Sequence, residues 1–325
     1  TMAGGGFTGH DVHIDVPLSQ VAIAYNPRGF IADQIAPMVG VNKQSDGYYI
    51  WDIADAYRVE DSKRAPGAEA NVIERSVSSG TYFAKNYAFK DRIPYEDIKN
   101  VDAGAIFLER QARAEFIKSK LYLDWERRVA LMVTSGSNCG SYDSVDSGWT
   151  DKRQNYSDPL GCINTAILNV EGLTGVRPNS ILFGRYAWHL FRQHQEVKDC
   201  IFGTAGAASG GRVVTLENVK TLFEVERALV GGAYYNSADE GQAASLARIW
   251  NDQVLVYYAP MAASKTEPSF MYSFRWDAVP GMNMTAEVFD LPRNKAEEVQ
   301  LGYYQDEKIT AKTLGFLIVG VGSSS

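Results

Sequence analysis

A chain of 325 residues, 45% hydrophobic and 22% charged, has room for about two globular domains with a buried core. It contains no run of ~18 apolar residues to span a membrane, its start from Thr1 to His10 is too polar for a signal peptide, and a net charge of -7 disfavours sequence-independent binding to a phosphate backbone. Cys139, Cys162 and Cys200 are odd in number, far apart and without a Cys-x-x-Cys pair, which points away from a disulfide framework or a zinc site and toward free core thiols in a reduced compartment.

Residues 1–43 open on Gly4-Gly5-Gly6 and scatter apolar residues around Pro17, Pro27 and Pro37. This is the pattern of an extended arm with at most one short helix, Pro27 to Ala36, where proline suits a first turn. The start Thr1-Met2 is compatible with ordinary removal of a preceding initiator methionine, so proteolytic maturation need not be invoked. Residues 47–90 alternate as strands do, in Tyr48 to Ile53 and Ser79 to Ala84, on either side of the polar stretch Glu60 to Ala70. Such a two-stranded ribbon is marginal in water alone, so it is expected to lie on a neighbouring subunit.

The strongest periodicity follows Asp102, a plausible N-cap, and runs to Val133. Phe107, Ala114, Ile117, Leu121, Trp125, Val129 and Met132 share one face, while Glu109, Arg110, Arg113, Lys118, Lys120, Glu126 and Arg127 occupy the others. At ~1.5 Å per residue the predicted helix spans roughly 45 Å. No second helix of matching length is predicted, which favours a spine lying against strands over a coiled coil.

Residues 137–157 are polar and read as a loop. An α/β region follows: a helix from Asp158-Pro159 to Gly172, a buried strand Asn179 to Phe183, a helix Arg185 to His194, a Gly/Ala/Ser-rich loop Gly203 to Gly211, and a helix from Thr215 and Glu217 to Phe223. Next come a strand at Ala228-Leu229-Val230, a helical turn at Asp239 to Leu246 and a strand Gln253 to Tyr258, and the tail from Ala286 to Val321 returns to strands, notably Gly315 to Val319. Alternating short strands and helices predict a mixed sheet with helices packed on it, an α+β fold overall.

Three stretches carry a family resemblance. Tyr87 to Asp97 (YAFKDRIPYED) resembles a ribbon-to-spine junction, Arg177 to Gly184 (RPNSILFG) with Trp188-His189-Leu190 resembles a strand-then-helix domain start, and Val225 to Asn236 (VERALVGGAYYN) with Ile249 to Tyr258 (IWNDQVLVYY) resembles its later strands. In this order, after an arm and a ribbon, they resemble the tailed-bacteriophage major capsid protein, a fold of the Hong Kong ninety-seven type shared with encapsulins and herpesvirus capsid floor domains. The resemblance implies an N-terminal arm over 1–43, an extended loop (β-ribbon) over 44–90, a peripheral domain over 91–136 and 263–309 carrying the spine helix 102–133, and an axial domain over 137–262 and 310–325. It implies a virion structural protein, synthesised in host cytoplasm, that assembles through hexamers and pentamers into an icosahedral shell around packaged double-stranded DNA. Sequence-specific DNA binding and membrane contact are not expected. Scaffolding, portal and decoration proteins are the possible separate partners. Inter-subunit contacts are expected from Tyr48, Ile50, Trp51, Tyr82 and Phe83 on the ribbon, and from Gly206, Gly210 and Gly211 near the symmetry axes.

No enzymatic pattern competes well. The glycines before Thr215 lack both the Lys-Ser/Thr ending of a P-loop and dinucleotide-loop spacing, His10 and His13 have no third histidine near them, and His189 and His194 are five apart and diverge on a helix. Glu96 and Asp97 suit a helix-terminal electrostatic role better than acid/base work. No catalytic residue, metal or cofactor is predicted, nor any cross-linking pair among Lys63, Lys85, Asn236 and Asn251. An encapsulin-like compartment shell and an α/β-domain enzyme remain the alternatives.

Overall fold

The computed structural model describes residues 28–51, 53–64, 66–67, 69–73, 76–100, 103–145, 148–150, 157–203, 213–263, 267–277 and 287–322. Two five-stranded sheets, a separate ribbon and a small hairpin are strung along one long helix.

Sheet I has the order β1-β11-β13-β12, with β4 also paired to β13. Its strands are β1 (Met38–Val41), β4 (Lys85–Pro94), β11 (Met271–Trp276), β12 (Glu287–Leu291) and β13 (Ala296–Ile309). Only the β1–β11 pairing is parallel, and β4 runs antiparallel to β13 from Lys85 opposite Gln305 to Pro94 opposite Ala296. Sheet II has the order β5-β14-β10-β6-β7, built from β5 (Ser141–Ser144), β6 (Ser180–Phe183), β7 (Arg227–Val230), β10 (Val254–Tyr257) and β14 (Gly315–Val319).

The central strands of sheet II are apolar without alternation because both faces are covered. Ile181, Phe183, Val254, Val256, Phe316 and Ile318 turn to one core, under the helices α5 (Pro159–Thr174), α6 (Arg185–Gln193), α7 (Gln195–Phe202) and α8 (Leu216–Phe223). Leu182, Leu255, Tyr257 and Leu317 turn to the opposite core. The helix boundaries follow local chemistry. Asp158 accepts a hydrogen bond from the Gly161 amide ahead of Pro159, α5 stops at left-handed Gly175, and Thr215 forms a capping box with Asn218.

The spine, α4 (Ala103–Val133), belongs to both cores. Ile117 and Leu121 pack with Ile93, Val299, Leu301 and Tyr303 of sheet I. Trp125, Val129, Ala130 and Val133 pack under sheet II with Trp250, Leu255 and Phe270. Ala114 and Met132 lie at the margins of these clusters, and the Asp102 cap and the Phe107 side chain fall outside the described residues. Glu126, which periodicity assigns to a polar face, is completely buried.

Several elements differ from the sequence reading. Residues 239–246 form no helical turn: β8 (Tyr234–Asn236) and β9 (Leu246–Arg248) make an antiparallel hairpin. The Asn236 side chain takes the amides of Ala238 and Ser245 at 3.2 and 2.8 Å, a local bonding pattern that competes with helix. The polar stretch 137–157 contains edge strand β5, drawn in by parallel pairing with β14 rather than by apolar content. Strand β11 and helix α7, beyond His194, are additional. Glu96 and Asp97 occupy the first turn of a separate six-residue helix, α3 (Tyr95–Asn100), ahead of the spine. Of the cysteines Cys139 is buried, Cys162 half-buried and Cys200 exposed, so not all three are core thiols.

Leu121→Ala, at a position 1% exposed, is expected to cost about 2–5 kcal/mol of unfolding free energy through the cavity it leaves. Leu131→Ala on the same helix, 63% exposed, should stay within about 0.5 kcal/mol. Urea denaturation of the unassembled chain measures both; equal costs would contradict the shared-core role of the spine.

Candidate functional site: the arm anchor and the ribbon base

Residues 28–41 carry the arm onto the body of the molecule. Gly29 adopts φ +80 and lies against Gly232, where a β-carbon on Gly29 would meet the Gly232 backbone at 3.0 Å. Gly29 therefore lets the chains cross at backbone distance. Beyond them Ile31, Ala32, Ile35 and Ala36 are buried against the spine, and the Phe30 ring stacks on Tyr122 at 6.2 Å. The short helix α1 (Ala32–Ile35) has no side-chain cap of its own. The Glu126 carboxylate supplies one: Oε2 accepts from the Ile31 and Ala32 amides at 2.9 and 2.8 Å, and Oε1 accepts the Trp250 indole N–H at 2.6 Å. At the other end the Gln34 carbonyl accepts from the Arg227 guanidinium and from the Tyr257 hydroxyl at 3.3 Å. Both orphan ends of this one-turn helix are thus satisfied by distant elements. Burial raises the Glu126 pKa, opposed by the hydrogen bonds from Trp250, Ala32 and Ile31, while the charge of Asp33 adds to the rise.

The ribbon pairs β2 (Ser45–Trp51) with β3 (Val77–Phe83), Ser45 opposite Phe83 and Trp51 opposite Val77, and helix α2 (Ile53–Tyr57) follows β2. At its base Tyr48 and Tyr82 stack on Phe274 of sheet I at 5.2 and 4.8 Å. The Phe83 amide donates to Asp306 Oδ2 at 2.9 Å, and Gln44 and Ala84 bond each other twice, at 2.8 and 3.1 Å. Tyr82 is buried within its own chain, Tyr48 and Ile50 are half-buried, and Phe83 is exposed. Only the backbone of Trp51 is described, and Gly206, Gly210 and Gly211 lie outside the described residues, as do His10 and His13. The most exposed apolar residues of this region are others: Tyr49 at 77%, Val59 at 97%, Val72 at 84% and Ile73 at 70%. Tyr49 was legible as the strand neighbour that must point opposite to Tyr48 and Ile50. The rest carry no periodic signal.

Ion pairs tie the spine to sheet I. Arg110 pairs with Glu297 at 2.6 Å, Arg113 with Asp91 at 2.9 Å, and Arg128 with Glu307 at 2.9 Å while its guanidinium lies 3.7 Å from the Tyr87 ring centre. Across the β4–β13 ladder Arg92 and Lys90 hold Glu298 at 3.0 and 3.2 Å. These bonds, Arg92 foremost and then Lys90, lower the Glu298 pKa. Among the described residues no group of three or more His, Cys, Asp or Glu could hold a metal ion, and no helix is long and apolar enough to cross a membrane. His194 is buried with Nε2 at 2.7 Å from the Ser157 hydroxyl, whereas His189 meets Gln193 on the surface, so the two histidines do not converge. Burial pushes the Cys139 thiol up to about 12, leaving it protonated and inert.

No family model matches the chain. It is 26% identical over 306 residues to a major capsid protein of Pseudomonas phage JBD67, covering 93% of this chain and 95% of that one. It is 23% identical over 316 residues to a major capsid protein of Burkholderia phage BcepMu, covering 95% and 96%. Among solved structures, a phage-related protein of Bordetella bronchiseptica RB50 superposes with a TM-score of 0.69 at 21% identity over 95% of this chain and 97% of that one. The capsid structure of cyanophage P-SCSP1u gives 0.57 at 11% identity over 100% and 97%. Two sheets strung on a shared spine, with a ribbon based on one of them, are therefore a fold that the chain shares with the cyanophage capsid structure. The relatives that share its sequence are phage major capsid proteins, and the role they support for the chain is a structural one in a viral capsid.

Glu126→Gln would turn an amide N–H toward an N–H donor and is expected to cost about 1–3 kcal/mol. Trypsin should then cut at Arg28 faster than in the parent, and unchanged cleavage would remove Glu126 from the anchor. Glu298 has its pKa lowered in the folded chain, so its contribution is present above the ordinary carboxylate range and is lost as pH falls through the folded value. Glu298→Gln should accordingly flatten the loss of stability between about pH 5 and pH 3, measured by urea midpoints across that range.

Proposed function

We propose that the chain tiles an icosahedral shell through pentamers and hexamers, enclosing packaged double-stranded DNA, with the arm (1–43) and extended loop (44–90) laid over adjacent copies. The observation that carries this reading is the ribbon. Its base is fixed to sheet I by Tyr48, Tyr82 and Asp306, yet Tyr49, Val59, Val72 and Ile73 expose apolar surface that the described residues do not cover. Burying such surface returns about 25 cal/mol per Å², and closed symmetry repeats the gain at every copy. Ile50 and Phe83 extend the same contact surface, while Tyr48 and Tyr82 aim it. In this reading 91–136 with 263–309 form the peripheral domain, and 137–262 with 310–325 the axial domain. A net charge of -7 suits a wall that surrounds DNA without gripping it. Scaffolding, portal and decoration functions fall to separate chains, and subunits join without covalent cross-links.

Negative-stain microscopy of the expressed full chain, alone and with its phage's scaffolding protein, tests the reading. Closed shells that run as single subunits on a reducing denaturing gel are expected; only small soluble species under both conditions would overturn it. Val72→Asp with Ile73→Asp should abolish shells while leaving the circular dichroism and thermal midpoint of the unassembled chain unchanged.

A further inference from the structure

Among the described residues sheet I keeps one edge open along β4, whose only strand partner is β13. In an antiparallel ladder every second residue turns its N–H and C=O toward the partner and the others turn away. The Tyr95 amide donates to the Lys295 carbonyl at 2.8 Å, which puts the odd-numbered residues on the β13 side and the even-numbered ones on the open side. Both ends of that open side are closed by nearby groups. The Ala84 amide donates to the Gln44 carbonyl at 2.8 Å and the Gln44 side chain donates back to the Ala84 carbonyl at 3.1 Å. The Arg92 amide donates to Asp91 Oδ1 at 2.8 Å, and the Arg92 carbonyl accepts from Arg113 at 3.2 Å. Between these ends Asn86, Ala88 and Lys90 are exposed, leaving a gap the length of one short strand. The gap has an apolar flank and a basic one. Arg113 meets Asp91 and Arg128 covers Tyr87, so the spine between them runs past Phe89, 48% exposed, and brings up Phe116, 51% exposed. On the opposite face Lys90 and Arg92 hold Glu298 while their side chains stay 53% exposed. Such an edge accepts a strand that is apolar on one face and acidic on the other.

We propose that residues 11–16 of the arm fill this gap in their own chain, as a strand added to the open edge of β4. These residues lie outside the described ones, and their sequence, Asp-Val-His-Ile-Asp-Val, alternates with the period of a strand: Val12, Ile14 and Val16 share one face, Asp11, His13 and Asp15 the other. With the apolar set over Phe89 and Phe116, the two aspartates come to the face that carries Lys90 and Arg92. The reach suffices. Residues 17–27 lie between this segment and Arg28, and an extended chain of that length spans roughly 40 Å. Phe116 stands about 15 Å along the spine from Glu126, where Ile31 and Ala32 are fixed. This contact lies within one chain and goes beyond the shell reading, which concerns contacts between copies: the arm closes its own sheet before the rest of it reaches a neighbour.

Photo-crosslinking of the unassembled full chain tests it. Phe89→p-benzoylphenylalanine keeps a ring beside the gap, and a mixture of light and 15N-labelled chains separates adducts within one chain from adducts between two. The adduct is expected on the N-terminal tryptic peptide, residues 1–28, of the same chain. Adducts on another peptide, adducts that join two chains, or none at all overturn the inference; because no shell is needed, each of these leaves the shell reading standing. Val12→Asp with Ile14→Asp gives an independent readout by hydrogen exchange. The amides of Ala88 and Lys90 should exchange about tenfold faster than in the parent, or more, while those of Leu121 and Trp125 in the spine keep their rates. Unchanged rates at Ala88 and Lys90, or a rise shared by the spine, overturn the proposal.

Discussion

The buried carboxylate of Glu126 is the point at which the parts of this molecule meet. A charge removed from water must be matched by donors, and none of its three comes from the spine that carries it: two are amides of the arm and one is the indole of Trp250, just before β10. Displacing residues 31–32 would leave Oε2 buried without a partner, and moving sheet II would do the same to Oε1. The arm, the spine and sheet II are therefore coupled through one side chain, and each is held in register by what the other two would lose. Apolar packing around it, from Ile35, Trp125, Val129 and Leu255, supplies adhesion but little direction.

The spine extends this coupling to the other half of the fold. Because Ile117 and Leu121 belong to one core and Trp125, Val129 and Val133 to the next, the two sheets are set relative to each other by a rigid rod rather than by a linker. Arg110, Arg113 and Arg128 fix its rotation against sheet I through ion pairs. The ribbon inherits this frame: Tyr48 and Tyr82 rest on Phe274, and Asp306 holds the amide where β3 gives way to β4.

Sequence periodicity was a good guide where an element buries one face or two. The spine, β6, β10, β14 and the capped helices α5 and α8 were all legible, because caps and apolar runs are local signals. It was a poor guide where a partner distant in sequence decides the outcome. Glu126 reads as one more surface charge because nothing nearby announces Ile31, Ala32 or Trp250, and β5 is polar because its place depends on pairing with β14. The hairpin β8–β9 was misread because the Asn236 side chain, not a hydrophobic pattern, organises residues 237–245. The ribbon as a whole was legible from alternation, but which of its residues face its own body and which face outward was settled by Phe274, far along the chain.

The register of β4 on β13 bears on how the protein carries load. The chain passes from β3 through Ala84 straight into β4, which then lies antiparallel to β13 from Lys85 to Pro94. Tension on the ribbon enters at one end of that strand and runs along its length, across ladder hydrogen bonds that stand perpendicular to it. A strand peeled sideways breaks its bonds one after another, but a strand dragged lengthwise must break them together. The ion pairs of Glu298 with Lys90 and Arg92 act as cleats against such sliding.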